Sequence, residues 1–485
     1  MPGSAGTTCR AFGASNRRQG RRPGPAVAAL ALGLATVPVA AWAANEDNDL
    51  DRIPDAVNSA APPSPAVVTQ SPPQLLVESA PQAGFWRSRL VVPVPNTNPS
   101  DFSNRLSLDL RTEMALGDGV TATLADRFSV LGESGRAFTS RNDLANDLKE
   151  AYLTWTAGGP WFVDAGRINV KQGVALGFNP TDYFKTNAVT LRVSEDPGVL
   201  RDNRLGTLMM RSQVVGETAA AAAIWAPVVD HRPGRWWSGG AVDGLGFDRT
   251  NRNDRVLLRG SATLAQDFSP EVLYYHEADR SQIGINLTRG LGDAVVLYGE
   301  ASGGFRPNLI SEALTDARQR GLVPWMAPFP LGIDTRGRLQ TQAAIGFSYA
   351  TEPKITTHVE YHFNQAGFSG ADWKRWFDAG RQPSARGPLW QIRQYAEDTQ
   401  QPVSQHTGFV RALWEDALVP DLNLTAIVET SLEDASSFLQ LEAAYFVSPK
   451  LTVGLTVGDN LGGGRSERGS LSEAGSLMTT FRVYF

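Results

Sequence analysis

The sequence predicts an all-β fold: a transmembrane antiparallel β-barrel of about 18 strands. Three observations carry the prediction. From Phe85 onward the chain alternates apolar and polar residues in run after run. The connections between those runs are tight and long by turns. Beyond the leader, no apolar run reaches the roughly 20 residues of a helical span, and in lipid only helices and closed barrels satisfy every backbone group.

The chain opens with a targeting segment. Arg10, Arg17, Arg18, Arg21 and Arg22 form a basic region, Ala26 to Ala40 is apolar, and Ala41-Trp42-Ala43 has the small-x-small form of a signal-peptidase site. Residues 1–43 therefore read as a cleavable signal peptide. Cys9, the single cysteine, falls inside it, which excludes a disulfide framework or thiol chemistry in the mature chain. Losing five Arg and no acid moves the formal charge from -5 to -10. An acidic chain of this kind argues against nucleic acid as a partner.

Residues 44–84 read as a periplasmic tether, acidic at first and then rich in Pro, Ser and Ala. Asp47, Asp49, Asp51 and Asp55 alternate within it. Alternating carboxylates suit a hard, oxygen-seeking cation, so Ca2+ is the one cofactor to consider. The spacing resembles one unit of the thrombospondin type 3 kind, with Arg52 where that pattern expects Gly.

The barrel is expected over 85–485. Leu106, Leu108, Leu110 and Met114 oppose Arg105, Ser107, Asp109, Arg111 and Glu113. Val359, Tyr361 and Phe363 oppose His358, Glu360 and His362, and Leu451, Val453, Leu455 and Val457 oppose Thr452, Gly454 and Thr456. Segments of this kind begin near Trp86, Asn104, Val120, Ala145, Trp161, Gly206, Thr218, Arg255, Glu271, Ser281, Ala294, Arg338, Lys354, Gln405, Asp421, Ser437, Lys450 and Ser476. Every second connection is tight, as at Asp118-Gly119, Gly158-Gly159-Pro160, Val419-Pro420 and Ser448-Pro449. The others include the long loops Lys171 to Leu205, Val229 to Asp254, Gly303 to Gly337, Ala366 to Ser404 and Asp459 to Gly475. An even strand count with short turns on one rim and long loops on the other is the asymmetry of a bacterial barrel with extracellular loops.

The last strand, Ser476 to Phe485, has Leu477, Thr479, Phe481, Val483 and Phe485 on one face and stops on the aromatic. It resembles the closing strand of bacterial outer-membrane β-barrels. That resemblance implies a Gram-negative outer membrane, lipid as surroundings, and the barrel-assembly machinery as a partner for this strand.

The polar parity places Arg105, Asp109, Arg111, Glu113, Glu150, Arg211, Arg255, Arg259, His358, Glu360, Glu442 and Arg482 on the lumen wall, since charged groups facing lipid are costly. Rings of charge select permeant ions, so an Arg-containing wall points to small polar or anionic solutes. The loop from Lys171 carries Gly173, Gly177, Phe178, Asn179-Pro180-Thr181-Asp182, Arg192 and Arg201. Asn179, Asp182, Arg192 and Arg201 are its candidate constriction residues, with the loop from Gly303 to Gly337 as a second inward element. The Gly-Arg … Gly … Asn-Pro-x-Asp stretch resembles that of porin-like barrels, loosely including the alginate-export type; the resemblance implies the fold and no particular solute. Trp373, Trp376 and Trp390 among Lys374, Arg375, Arg381, Arg386 and Arg393 serve either loop packing or a sugar or anionic polymer.

Enzyme chemistry is not indicated. No Gly-x-Ser-x-Gly elbow occurs. His358, Glu360 and His362 share one strand face at about 7 Å steps, long for three ligands on one metal. The expected function is a diffusion channel narrowed by inward loops. A polysaccharide export pore, or a barrel enzyme or receptor, is the alternative, and His276, His358, His362 and His406 are the residues that would separate an enzyme from a channel.

Overall fold

The computed structural model describes residues 73–485 apart from 96–99, 140–142, 157, 191, 193, 230–244, 326–328, 330 and 335. The signal peptide and Asp47, Asp49, Asp51 and Asp55 lie outside the described residues. The strands are β1 (Gln74–Trp86), β2 (Phe102–Gly117), β3 (Val120–Glu133), β4 (Leu144–Thr156), β5 (Trp161–Ile168) and β6 (Thr207–Val215). Next come β7 (Ala219–Ala226), β8 (Arg255–Ala262), β9 (Glu271–Glu277), β10 (Arg280–Leu291), β11 (Val295–Arg306) and β12 (Arg338–Ala350). The last third is β13 (Ile355–Asn364), β14 (His406–Trp414), β15 (Leu422–Ser431), β16 (Ser437–Ser448), β17 (Leu451–Leu461) and β18 (Glu473–Tyr484).

Each strand pairs antiparallel with its neighbours in sequence, and β1 pairs with both β2 and β18, so the 18-stranded sheet closes on itself. Closure removes the edges that an open sheet would leave unpaired. The seam shows how register sorts the two faces. Val483, Val77 and Leu108 are directly paired in one row, and Arg482, Glu78 and Ser107 in the next. A slip of one residue would exchange the two rows.

Leu106, Leu108, Met114, Leu153, Met210, Leu258, Ile283 and Ile345 are exposed on the outer wall. Trp155, Trp161, Tyr349 and Tyr445 form an exposed aromatic band toward the short-turn rim. A continuous apolar belt of this extent is unfavourable in water by about 25 cal/mol per Å2 and fits hydrocarbon flanked by interfacial aromatics. Among the described residues, no helix is long and apolar enough to cross a membrane; the crossing elements are strands.

Seventeen of the eighteen strand starts fall within three residues of the expected positions. The exception is the first. β1 ends at Trp86 instead of beginning there, so 74–84, read as the end of a tether, belong to the barrel wall. Pro81 hid it. Proline has no N–H for a ladder, and the β1–β18 register passes over Ala80 and Pro81 before resuming at Gln82.

Between β5 and β6 lies helix α1 (Pro197–Asp202), and between β7 and β8 the single turn α2 (Phe247–Thr250). At the long-loop rim, α3 (Leu309–Gln319) follows β11, while α4 (Gly370–Ala379) and α5 (Pro383–Asp398) follow β13. Ser369 and Asp372 form a reciprocal capping box at the start of α4. The three helices bury Leu309, Leu314, Trp373, Trp376, Leu389 and Ile392 in one apolar core, with Val92 of the β1–β2 connection packed into it. This core belongs to the loops and lies apart from the lipid-facing belt.

Candidate functional site: an inward loop and the cavity it leaves

The described residues of 169–206, between β5 and β6, turn into the lumen. Ala175, Thr181 and Asp182 there are at most 1 % exposed. Two glycines permit the close approach. Gly173 has φ +89, and a Cβ on it would lie 2.5 Å from Glu300 Oε2. A Cβ on Gly177 would lie 2.8 Å from the Phe409 ring.

Two wall carboxylates hold the turn. Glu360 of β13 accepts from the backbone N–H groups of Leu176 (2.6 Å) and Gly177 (2.9 Å), and from the Tyr298 hydroxyl (2.8 Å). His362 Nε2 lies 2.7 Å from its other face. Glu300 of β11 accepts from Val174 N–H (3.3 Å), Asn179 Nδ2 (3.0 Å) and Thr181 Oγ1 (2.6 Å). Both carboxylates are buried, where a charge persists only with several donors around it.

Apolar contact adds to this. Tyr183 stacks on Tyr275 of β9 at 4.4 Å, and Phe184 meets the same ring edge-on at 6.2 Å. They pack against Ile224, Leu257 and Leu273 of β7, β8 and β9, filling that side of the lumen. Burying side chains of this size contributes about 1.5–3 kcal/mol each.

The loop then reaches the opposite wall. Asp196 caps α1 through Gly198 N–H and pairs with Arg411 of β14 at 2.9 Å. Gln440 of β16 donates to Ser194 (2.8 Å) and accepts from Glu195 N–H (2.9 Å). Arg127 of β3 joins Asp109 to Asn203 just beyond α1. The loop thus spans the lumen, bonded to walls on both sides. Inside it, Arg204 pairs with Asp182 at 2.6 Å, Arg201 donates to Ala175 O (3.0 Å) and to Asn179, and Lys185 Nζ donates to Asn179 O at 2.5 Å.

The end of α5 docks on the same loop. Asn187 N–H donates to Asp398 O (2.8 Å), Gln400 Nε2 to Lys185 O (2.6 Å), and Arg204 to Gln400 Oε1 (2.7 Å). Arg192 bridges Glu195 (2.9 Å) and Glu397 (3.3 Å). Between the loop, this docking segment and the wall from β13 to β18 lies a cavity of about 710 Å3. Phe178, Arg201, His362, Glu429, Gln440 and Met478 are among its lining residues.

Burial sets the charge states of the loop groups. It pulls the Lys185 ammonium below the ordinary lysine range, against the opposing pull of Asp182 and Glu300. Burial also opposes the Arg192 charge, but Glu195 and Glu397 outweigh it and hold the guanidinium above its usual range. The Asp398 carboxyl is pushed up to about 6, mainly by burial.

The residues expected on the lumen wall carry lumen parity in the strand registers, yet none of them lines this cavity. Most of them are engaged with other wall residues or with the loop. Arg111 bridges Glu113 (3.4 Å) and Glu150 (3.3 Å), and Arg211 meets Asp164 (2.8 Å). Arg259 lies 3.6 Å from Glu271, and Arg482 2.8 Å from Glu78. Arg255 lies over the Phe184 ring and donates to Thr250 O. Of the expected constriction residues, Asn179, Arg192 and Arg201 line the cavity, and Asp182 is an internal staple.

The second inward element differs from the expected one. Gln400 to Val403, from the β13–β14 connection, line the cavity, and no described residue of 307–337 does. The aromatic residues Trp373, Trp376 and Trp390 pack around the Arg393 guanidinium in the helical cap, so loop packing is what they do. Sequence reasoning missed Glu300, Glu397 and Glu429. Glu300 and Glu429 share lumen parity with Tyr298 and Ile427, a signal present in the alternation.

A closed 18-strand meander with an apolar outer belt and a loop folded across its lumen is the architecture of a transmembrane β-barrel. No protein-family model matches the sequence, and no curated protein matches it. Among solved structures, Acinetobacter baumannii OccAB1 is similar at 9 % identity, covering 85 % of this chain and 96 % of that one, with a TM-score of 0.49. Acinetobacter baumannii OccAB4 is similar at 8 % identity over 86 % and 99 %, with a TM-score of 0.49. A triple mutant of Rhodopseudomonas blastica porin is similar at 11 % identity over 85 % and 99 %, with a TM-score of 0.39.

Proposed function

We propose that this chain is an outer-membrane channel through which small polar or charged solutes diffuse down their gradients. The observation that carries the reading is the loop 169–206, bonded to both sides of the lumen and leaving an eccentric cavity against β13 to β18. A barrel filled for structural reasons alone has no need of a charged space of about 710 Å3 between loop and wall.

The preference of this channel is set by the loop and its surroundings more than by the wall arginines, because Arg111, Arg211, Arg259 and Arg482 are paired with wall carboxylates. Residues 1–43 are a signal peptide for export in this reading, and the β18 strand is the element presented to the assembly machinery. Non-enzymatic passage is favoured by the engagement of His362 with Glu360 inside the loop clamp. The test is labelled-solute entry into proteoliposomes, with and without deletion of 172–204. Entry that rises on deletion supports the reading. No entry in either, from protein that migrates on a gel as a folded barrel, contradicts it.

A further inference from the structure

The outer wall breaks its apolar pattern on β3 and β4. Leu124, Asp126 and Phe128 share one face of β3. Asp126 is paired with Leu110 of β2 and Leu148 of β4, and Phe128 with Leu108 and Asn146. Leu108 and Phe128 are exposed on the lipid side, so Asp126 and Asn146 stand on that side as well. A bulge puts Asn146 there. Ala125 faces Glu150 while Asp126 faces Leu148, which leaves Lys149 as the extra residue. Below the bulge Leu153 faces out; above it the parity of β4 is exchanged, and Asn146 faces out instead.

The depth makes the placement costly. Val120 pairs with Trp155 of the aromatic band, and Asp126 is six residues further along β3. At strand rise that is about 20 Å along the strand, or about 15 Å above the band for a strand tilted by 35–45°, inside an apolar belt of about 25 Å. Lysine or arginine could snorkel from such a depth; the aspartate side chain is too short. Lipid tails offer it no donor. Within the chain the carboxylate is engaged by the Asn146 side chain and the Arg127 backbone N–H. Its Oδ1 has no hydrogen-bond partner. The Arg127 guanidinium points the other way, into the lumen, onto Asp109 and Asn203.

We propose that the β2–β4 face of the outer wall is a two-fold contact between two copies of this barrel in the plane of the membrane. The patch carries an acceptor and a donor side by side, so it is complementary to itself. An amide has two N–H groups. Asn146 can spend one on Asp126 of its own chain and the other on Asp126 of the second copy, and the reverse bond forms by symmetry. Leu106, Leu108 and Phe128, all exposed beside the pair, supply the packing that holds two walls together in lipid. The contact depends on the barrel standing in lipid and not on what its pore passes; a barrel that passes nothing would form the same dimer.

The test counts photobleaching steps of single particles in liposomes at falling protein density. The mature chain lacks cysteine, so Glu352→Cys in the β12–β13 turn carries the dye, away from the patch. Two steps are expected at high density and one at low. D126L and N146L, scored as folded by heat-modifiable migration, are each expected to move the midpoint to about tenfold higher density, the size of effect that a pair of hydrogen bonds in lipid gives. If D126L does not migrate as a folded barrel, N146L alone decides. Single steps from the wild type at every density, three steps at high density, or a midpoint unmoved in the folded variants overturns the proposal.

Discussion

The Gly177 backbone N–H lies 2.9 Å from Oε2 of Glu360, and the neighbouring N–H of Leu176 lies 2.6 Å from Oε1. One wall carboxylate thus accepts from two successive amides of the loop that crosses the lumen. The contact places a loop residue against a strand more than 180 residues away in sequence, and it makes Glu360 a positioning group for the constriction.

Removing that carboxylate is the first prediction. Glu360→Ala leaves two half-buried amides and the buried Tyr298 hydroxyl without their acceptor, so loop docking weakens by about 3 kcal/mol. The barrel still closes, since its ladder is intact. Conductance is expected to rise and grow noisy, with new protease cleavage within 172–204. A quiet trace with unchanged conductance contradicts the clamp.

Gly177→Val acts on the same turn from the other side. Its Cβ meets the Phe409 ring at 2.8 Å, and the His362 ring leaves no room at 2.9 Å. Overpacking of this kind costs about 1–3 kcal/mol. The expected phenotype matches Glu360→Ala, and the double variant is expected to add little, because both undock one loop. Full additivity of the conductance changes argues for separate causes.

Tyr183→Ala tests the apolar half of the docking. It removes the stack on Tyr275 and the 2.9 Å contact with Ser302. An aromatic-to-alanine change in a packed site costs about 3–5 kcal/mol. Hydrogen exchange is expected to quicken in 183–190 while the β7–β9 amides stay protected.

Lys185 supplies a pH dependence. Burial lowers its affinity for a proton, so it loses charge as pH rises through a range where exposed lysines stay charged. The ratio of anion to cation permeability, read as reversal potential in a salt gradient, is expected to fall between neutral pH and about 10. Lys185→Arg is expected to hold it constant. For stability the sign is opposite: the unfolded chain binds the extra proton in that window, so docking of the loop strengthens as pH rises.

Much of the barrel was legible because a lipid-facing strand obeys a strict two-residue period, and the alternation from Arg105 to Met114 survives intact in β2. Turn chemistry at Asp118-Gly119 and Val419-Pro420 marked the short rim. β1 was misplaced because Pro81 interrupts its pattern. The site was half legible. Gly173, Gly177 and Asn179 stood out as a loop able to approach another backbone, but parity says only that Glu360 faces inward. Whether it meets a solute or a loop depends on the fold of residues far away in sequence, and no local period records that. For the same reason the wall arginines read as a wall that selects solutes, and the alternation did not show that Arg211 and Arg482 have their partners on neighbouring strands.

The most direct test of the central claim is single-channel recording of the refolded protein in a planar bilayer, wild type beside Glu360→Ala. The account predicts discrete openings in the wild type and a larger, noisier conductance in the variant. Silence from both across voltages, with protein shown to be a folded barrel, would contradict it.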